Sequence, residues 1–566
     1  MVEKTRSQRG RRGSVLMFLT LALPFFVGLV GLGVDATMCY IVQTELSAAV
    51  DGAALGAGRL LSTNANPTDI ANEFLNANFR VGQSGFWGSY NLTPTVTVVT
   101  GITKTVTVTA TANVPLLFMR LFHHDAATVG ATATATRRDA RIEIVIDRSG
   151  SMAKVGSDGK QVIYDVVKKA EGFVEQFTSC TTSSCNSALN YDELGLVAFS
   201  GSAVVGYPPS PWPAPLTYNG AGGPDINFYS SSGTGASNDM VYQLDQIVQG
   251  STWASGGTAM GEALALAYIE LQKTHVRDWI ANGGFDNRMN AIVLFTDGVP
   301  SSVATYLNKN GSSVVRSGSG SNCTYWQDTA TPSHPMYGYI TQGSNTGGTP
   351  PYTSAWGFYQ LASIDPNTSS HTSAWYMSSP GADYVAPNPS TPETSCNSSG
   401  WNPLNNLSAI PSVDKYNYPL GMNTNPSGAG NGYKLSSFVN NPNGATSLYT
   451  GTAFVFNRPT DAYQWGLAAW NEVDNVAEAI RSDSNYPTRG ETSPMPITIY
   501  TIGYTGNGGT DSGLLQKIAN VYGCNVNGYS CVNTTQKQGL YAQASNADEI
   551  SNAFNTILTA ILRLSR

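Results

Sequence analysis

The sequence predicts an α/β protein with an N-terminal transmembrane helix, a small α+β module and a doubly wound domain that carries a large loop-rich insertion. Three observations favour this fold class. An uncharged apolar segment follows a basic N-terminus, three segments between residues 93 and 138 alternate Val, Thr and Ala with a period of two, and strand-like and helix-like segments alternate from residue 140 onward. The chain has 566 residues, which is enough for roughly two to four domains.

The apolar segment that begins at Ser14 and ends at Val34 has the properties of a transmembrane helix. It contains no charged side chain, and a helix of its length rises about 31 Å, which is enough to cross the hydrocarbon core. A cleaved secretory signal would instead have a shorter apolar region and a small-residue cleavage site. Because the helical pattern continues past Asp35, a retained anchor is favoured. The basic tip, residues 1–13, predicts a cytoplasmic N-terminus and an exported remainder.

Residues 35–138 are predicted to form a stalk and a small α+β module. The apolar spacing of a helix continues from the anchor into an Ala-rich segment, so anchor and stalk are expected to form one long helix. A second, short helix is predicted over residues 67–79. Three segments with a period of two are predicted strands, and a short apolar helix is predicted within "PLLFMRLFHH", between the last two strands.

Residues 139–566 alternate near-continuous apolar strands with amphipathic helices. The first strand is "ARIEIVID", and the alternation returns at "ELGLVAFSG", "MNAIVLFTDG" and "PITIYTIGYTG" before the chain ends on a helix. This pattern predicts a parallel sheet that is covered by helices on both faces. In such folds ligands bind at the carboxyl ends of the strands, so the polar residues at these ends are the candidates for a site.

Three polar loops are predicted to meet at the carboxyl end of this sheet. The loop "DRSGS" supplies Asp147, Ser149 and Ser151. The loop "SGGTAMG" supplies Thr258 at the start of a helix, and "FTDG" supplies Asp297 at the end of a strand. Each loop alone is more often an ordinary turn or a helix N-cap. Their positions at the ends of elements of one α/β domain favour a joint site.

The residue types in these loops suit a divalent cation. Mg²⁺ prefers hard oxygen ligands in octahedral geometry and keeps several waters, and two serines two positions apart can present both hydroxyls to one ion. Neutral hydroxyl ligands leave the ion able to accept a carboxylate from a partner, while the aspartates act mainly through water. The sequence thus predicts a Mg²⁺ site, with Ca²⁺ or Mn²⁺ as alternatives, and an acidic protein ligand.

Six cysteines lie beyond the membrane-proximal Cys39, which fits an exported protein with disulfide bonds. Six cysteines allow fifteen pairings. Proximity in the sequence favours Cys180–Cys185 and Cys524–Cys531, which leaves Cys323 for Cys396. Neither short loop has the ligand spacing of a zinc site.

The N-terminal part of the chain resembles the TadE/TadG-like proteins of the tight-adherence (Flp) pilus machinery. The resemblance lies in "RRGSVLMFLTLALPFFVGLVGLGVDATMCYIVQTELSAAVDGAALGAGRLL" (residues 11–61) and "VTVTATANVPLLFMRLFHHDAATVGATATATR" (residues 106–137). Pseudopilin members have a glycine before the apolar helix and a glutamate five residues after the cleaved bond. Gly13 is present, but Phe18 occupies the glutamate position. The resemblance therefore implies a permanently anchored, pilin-like module of the TadG type.

The C-terminal part resembles a von Willebrand factor A (VWA) domain with a metal-ion-dependent adhesion site (MIDAS). The three polar loops carry the DxSxS, threonine and aspartate pattern of that family in the same order, at the five residues named above. The resemblance covers residues 140–298 and 460–564 and implies a Rossmann-like fold. Residues 299–459 depart from the family as an insertion rich in Gly, Ser, Asn, Thr, Pro and aromatic residues, which we expect to be partly folded. A shorter insertion occupies residues 207–255.

The charge and the motif content of the sequence argue against a nucleic-acid binder and against an enzyme. The net charge is −7 and only 12% of residues are charged, whereas a nucleic-acid binder needs a clustered basic face. No HExxH, GxSxG or P-loop pattern is present in the sequence, so a binding protein rather than an enzyme is expected.

The expected protein is a single-pass component of the bacterial inner membrane whose exported, metal-dependent domain binds envelope or pilus assembly proteins. Whether it forms an oligomer is left open. The alternative is a surface-exposed adhesin for host or matrix ligands.

Overall fold

Two compact units make up the structure, a computed structural model of the protein. The first contains residues 1–138 with the last residues of the chain, and the second contains residues 139–561. The residues that the structure describes are 11–59, 61, 66–79, 92–99, 103–156, 158–177, 192–201, 203–207, 240–248, 257–281, 286, 288–306, 316–317, 325–326, 337–342, 355–360, 414, 418, 420, 462–482, 495–506, 509–526 and 529–562.

A single helix in the first unit contains both the predicted anchor and the predicted stalk. The elements of this unit, in chain order, are α1 (Arg11–Arg59), α2 (Pro67–Asn78), β1 (Leu92–Val99), β2 (Thr103–Pro115) and β3 (Ala126–Arg138). Among the described residues, α1 is the one helix that is long and apolar enough to cross a membrane, by length and composition. The prediction of a long apolar N-terminal helix is confirmed.

The two halves of α1 differ in what their side chains contact. The first half is exposed and apolar, with Phe26 62% and Val30 66% exposed. The second half buries one face, on which the fully buried residues recur every three or four positions. These residues are Val42, Leu46, Ala49, Val50, Ala53, Ala54 and Ala57.

The buried face of α1 packs against a three-stranded antiparallel sheet in the order β1–β2–β3. The central strand β2 buries alternate residues, as a half-buried strand should. These residues are Val106, Val108, Ala110, Ala112 and Val114. Between β2 and β3, the predicted short apolar helix is reduced to one 3₁₀ turn, Met119–Phe122, which ends at His123 in the left-handed conformation (φ 66°).

The second unit is built on a six-stranded sheet. Its elements, in chain order, are β4 (Ala140–Asp147), α3 (Val162–Val174), β5 (Glu193–Phe199), β6 (Ala203–Tyr207), α4 (Met240–Ile247), α5 (Met260–Ala281), β7 (Met289–Thr296), β8 (Ser302–Tyr306), β9 (Arg316–Ser317), β10 (Tyr325–Trp326), β11 (Tyr337–Gln342), β12 (Ala355–Gln360), α6 (Ala462–Ser482), β13 (Ile497–Tyr504), α7 (Ser512–Ile518), β14 (Asn525–Val526), β15 (Tyr529–Ser530), β16 (Tyr541–Ala544) and α8 (Ala547–Ile561). The strand order is β16–β13–β7–β4–β5–β6. Neighbouring strands are parallel except β6, which runs antiparallel to β5.

Helices pack against both faces of this sheet. Leu294 of β7 lies in a core that includes Leu264 of α5 and Val473 of α6. The next residue, Phe295, stacks on Phe554 of α8 with 6.4 Å between ring centroids. Because successive strand residues point to opposite faces, α5 and α6 cover one face and α8 covers the other. With both faces covered, β4, β5 and β13 are buried along their whole length, which explains their near-continuous apolar sequences.

Part of the predicted insertion forms a separate small sheet. Strand β8 begins five residues after Asp297 and pairs antiparallel with β11, which in turn pairs with β12. Strands β9 and β10 form a two-stranded pair. Apart from residues 299–301, 414, 418 and 420, the other residues of 299–459 lie outside the described residues, as do most of 207–255.

One of the three predicted disulfide bonds falls on described residues. Cys524 and Cys531 are bonded, with 5.4 Å between their Cα atoms, and both belong to the core beneath α6 and α7. The other predicted pairs, Cys180–Cys185 and Cys323–Cys396, lie outside the described residues. Cys39 is a free cysteine.

We expect the double substitution Cys524→Ser and Cys531→Ser to lower the free energy of unfolding by about 2 kcal/mol. Closing this short loop restricts the unfolded chain only modestly, because the entropy that a disulfide removes from the unfolded chain grows with the logarithm of loop length. Denaturant unfolding of the oxidised and reduced wild-type protein should reproduce the same difference. Labelling of both thiols in the native, unreduced protein would contradict the bond.

A buried cluster of charges occupies the amino end of the sheet. Arg141, the second residue of β4, is fully buried and donates to Glu193 Oε2 at 2.8 Å and to Asp286 Oδ2 at 2.8 Å, and it also contacts Asp278. Arg288 donates to the same oxygen of Asp278 at 2.8 Å. Burial alone would raise the pKa of Asp286, but the nearby Arg141, His275 and Arg288 outweigh burial and hold it well below its ordinary value.

Candidate functional site

The first predicted loop leaves the sheet at the carboxyl end of β4, one of its two central strands. The buried strand residues carry the chain to Asp147, whose Oδ1 accepts a hydrogen bond from the Ser149 backbone N–H at 2.7 Å. This bond closes a short turn of the kind that Asp side chains favour. A 3₁₀ turn then begins at Gly150, and it brings the Ser149 and Ser151 hydroxyls within 3.0 Å of each other.

The end of β7 supplies the second group of polar atoms. β4 and β7 are adjacent and parallel, so their carboxyl ends meet at the same edge of the sheet. The Thr296 hydroxyl donates to Asp147 Oδ2 at 2.5 Å, and the Ser151 hydroxyl donates to Asp297 Oδ1 at 2.6 Å. Each aspartate therefore accepts a hydrogen bond from a hydroxyl of the other loop.

Thr258 lies two residues before α5 and completes the group. Its backbone N–H donates to Ser301 Oγ at 2.9 Å, and its carbonyl accepts from the Ser301 N–H at 3.0 Å. Thr258 Oγ1 and Asp147 Oδ2 both lie close to Gly298. A Cβ built on this glycine would be 3.2 Å from the first atom and 3.7 Å from the second. The structure therefore places all five predicted residues, Asp147, Ser149, Ser151, Thr258 and Asp297, around one point at the edge of the sheet.

The two carboxylates are held in an environment that penalises negative charge. Asp147 and Asp297 are fully buried. Burial and the neighbouring charge of Asp297 raise the pKa of Asp147 to about 7, against hydrogen bonds from Thr296 and Ser149 that lower it. A divalent cation bound between the two carboxylates would offset this penalty, because opposite charge favours the ionised form.

The atoms present fit a hard divalent cation. Among the described residues, no group of three or more His, Cys, Asp and Glu side chains is arranged to hold a metal. A cation at this edge would therefore be bound by a mixed set, in which serine and threonine hydroxyls accompany two carboxylates. Oxygen atoms of this kind suit Mg²⁺ and Ca²⁺ and lack the nitrogen and sulfur ligands that favour zinc.

Sequence reasoning missed two residues of the site, Thr296 and Ser301. Thr296 precedes Asp297 at the end of a strand, and its hydroxyl links the two loops by donating to Asp147. The alternation of side chains along a strand places Thr296 on the opposite side of β7 from Phe295. This alternation is the sequence signal by which Thr296 could have been found. Ser301 holds Thr258 through two hydrogen bonds across 43 residues, and no local pattern predicts such a long-range pair.

Comparison with known families identifies the N-terminal helix. Residues 13–60 match the Tad family model, which describes Flp pilus-assembly TadE/G-like proteins. The match covers the apolar half of α1 and the half that packs on the small sheet. The chain thus carries a TadE/G-like pilus-assembly domain at its N-terminus. No curated protein matches the chain.

Solved structures of pilins and pilus adhesins show weak similarity. A point mutant of the PilB minor pilin from Streptococcus sanguinis is 12% identical, with 84% of this chain and 80% of that chain covered and a TM-score of 0.32. The pilus adhesin SpaC from Lactobacillus rhamnosus GG is 13% identical, with 86% and 37% covered and a TM-score of 0.29. The pilus adhesin RrgA from Streptococcus pneumoniae is 10% identical, with 84% and 49% covered and a TM-score of 0.27.

Proposed function

We propose that this protein is a membrane-anchored, metal-dependent binding component of a tight-adherence (Flp) pilus assembly system. The observation that carries the proposal is the meeting of Asp147, Ser149, Ser151, Thr258 and Asp297 at one edge of the sheet. The TadE/G-like domain at residues 13–60 supplies the link to pilus assembly.

The second unit is proposed to be a doubly wound VWA domain. In the order β16–β13–β7–β4–β5–β6, the chain first adds β5 and β6 on one side of β4 and then adds β7, β13 and β16 on the other side. In open α/β sheets the crevice at such a reversal, outside the carboxyl ends of the strands, is where ligands bind. The Asp147 loop and Asp297 follow β4 and β7 respectively, so the predicted site lies at this reversal.

The site is proposed to act as a MIDAS that binds a carboxylate of a partner protein. Mg²⁺ would be held by the hydroxyls of Ser149, Ser151 and Thr258, with Asp147 and Asp297 balancing its charge directly or through water. A bound Mg²⁺ supplies an electrophilic position that an acidic side chain can occupy. These roles describe binding, and we propose no reaction at the site.

The second unit, which carries the site, would be exported across the bacterial inner membrane. α1 would cross the membrane with its basic tip in the cytoplasm, so that partners are sought among envelope and pilus assembly proteins. The alternative function, a surface-exposed VWA adhesin for host or matrix ligands, uses the same metal chemistry but requires exposure at the cell surface.

Two measurements on the full-length protein test this function. We expect an envelope partner to co-purify with the protein in Mg²⁺ without any cross-linker, to be lost in excess chelator and to return when Mg²⁺ is restored. Partner binding that survives chelation would contradict a metal-dependent site. Protease treatment of intact cells separates the two candidates, because cleavage of the second unit is expected only for the surface adhesin.

A further inference from the structure

A turn between β2 and β3 lies along the apolar half of α1. We call residues 116–122 the Phe118 turn. A side chain at Gly31 would overlap the ring of Phe118, and a Cβ at Gly28 would lie 4.0 Å from the tip of Phe122. Gly31 is buried, although its neighbours Val30 and Leu32 on the helix are 66% and 49% exposed. The Phe118 turn thus covers a narrow glycine face within the apolar segment.

A buried carboxylate on α1 holds the turn in place. Asp35 is 3% exposed, and its two oxygens accept from the backbone N–H groups of Leu117 at 2.9 Å, Phe118 at 3.0 Å and Met119 at 2.8 Å. The N–H group of Leu116 is also paired, since it donates to the carbonyl of Asp125, which follows the turn, at 3.0 Å. Backbone can enter lipid only when its polar groups are satisfied within the protein, and here several donors already are.

The turn exposes two large apolar side chains. Leu117 is 48% and Phe122 is 62% exposed. Gly28 precedes Asp35 by seven residues, so Phe122 reaches about 10 Å along the helix from the level of Asp35 toward the middle of the apolar segment. Arg120 is an exposed cation in the turn, ion-paired with Asp125 at 3.3 Å. A long cationic side chain next to exposed apolar residues is typical of segments at the membrane boundary, where the charged end reaches the headgroups.

We propose that the Phe118 turn inserts into the exported-side leaflet of the membrane while it is seated on Gly31, and so forms a second contact between this protein and lipid. Leu117 and Phe122 contact acyl chains, and Arg120 lies among the phosphate groups. The surface that the turn exposes is continuous with the lipid-facing surface of α1, which is the reason for choosing lipid over a protein partner. The proposal rests on α1 acting as the membrane anchor.

Photo-cross-linking of the full-length protein in nanodiscs of phosphatidylethanolamine and phosphatidylglycerol tests the insertion. The photoreactive residue p-benzoylphenylalanine would replace Phe122, Phe26 or Tyr40 in separate proteins. Phe26 and Tyr40 are 62% and 72% exposed on α1, before and after Asp35. We expect lipid adducts at positions 122 and 26, and at least tenfold fewer at position 40.

The three positions separate the failure of this proposal from that of the anchor. Adducts at position 26 without adducts at 122 would leave the anchor intact and refute the inserted turn. Cross-links from position 122 to a second copy of the chain in place of lipid would refute it as well. If position 26 also fails to label lipid, α1 is not the anchor and the proposal falls with it.

A matched pair of glycine substitutions tests the seat of the turn. Gly31→Leu forces Phe118 off the helix, whereas a Cβ at Gly33 has no atom within 4 Å, so Gly33→Leu should be tolerated. With the photoreactive residue at position 122, we expect Gly31→Leu to reduce the lipid adduct at least fivefold and Gly33→Leu to leave it unchanged. Equal labelling in the two variants would show that the helix face does not position the turn.

Discussion

Mg²⁺ is expected to stabilise the wild-type protein against unfolding and to have no such effect on the Asp297→Asn variant. A ligand present at one hundred times its dissociation constant adds about 2.7 kcal/mol to the free energy of unfolding, and this is the gain that the variant should lose. Asp297→Asn keeps an oxygen that can accept from Ser151 but removes one of the two buried negative charges. Calorimetric titration of chelator-treated protein with Mg²⁺ measures the loss directly.

The metal-free form separates loss of a binding site from damage to the fold. Without metal, Asp297→Asn is expected to be at least as stable as the wild type, because the repulsion between two buried carboxylates is gone. Asp147→Ala should lose Mg²⁺ binding too, and combining the substitutions should add little, because one change already empties the site. Asp125→Ala, which removes an exposed aspartate of the first unit, serves as the control. Mg²⁺ affinity equal to that of the wild type in either site variant would make these loops ordinary turns.

Arg141→Met is expected to destabilise the second unit by about 3–5 kcal/mol, the range for removing one partner of a buried ion pair. The substitution leaves Glu193, Asp278 and Asp286 buried with less positive charge to balance them. Thermal unfolding, or limited proteolysis if the variant is too unstable to heat, measures the effect. Lys537→Met, which removes an exposed cation from the same unit, should change stability little.

A second substitution distinguishes loss of charge balance from loss of packing at Arg141. If uncompensated charge causes the destabilisation, adding Asp278→Asn to Arg141→Met should recover part of the lost stability, since one buried negative charge is then removed. If packing is the cause, the second change should recover nothing. The double variant being less stable than Arg141→Met alone would contradict the electrostatic explanation.

The sequence predicts the elements of the second unit well where a strand is buried along its whole length. "ARIEIVID" and "PITIYTIGYTG" correspond to β4 and β13, because a strand covered on both faces needs apolar residues at nearly every position. The polar residues that end β4 and β7 are visible for the same reason, since they interrupt such runs. Asp147 and Asp297 could therefore be selected from the sequence as candidates.

Long-range pairs could not be predicted in this way. Nothing in the local sequence around Arg141 indicates that its partners are Glu193, Asp278 and Asp286, which come from three later parts of the chain. The apolar composition of the Phe118 turn predicts a helix. Three of its N–H groups instead donate to Asp35, more than eighty residues earlier, and no local sequence pattern indicates this pairing.

The continuity of α1 has a mechanical consequence. The helix runs unbroken from Arg11 to Arg59, so no flexible joint separates the apolar segment from the part that packs on the β1–β3 sheet. Its one proline, Pro24, lies inside the apolar segment, and any bend that it causes falls there. With α1 as the proposed membrane anchor, a tensile load on the first unit would thus reach the lipid bilayer through a stiff helix, and the helix would tilt together with the β1–β3 sheet.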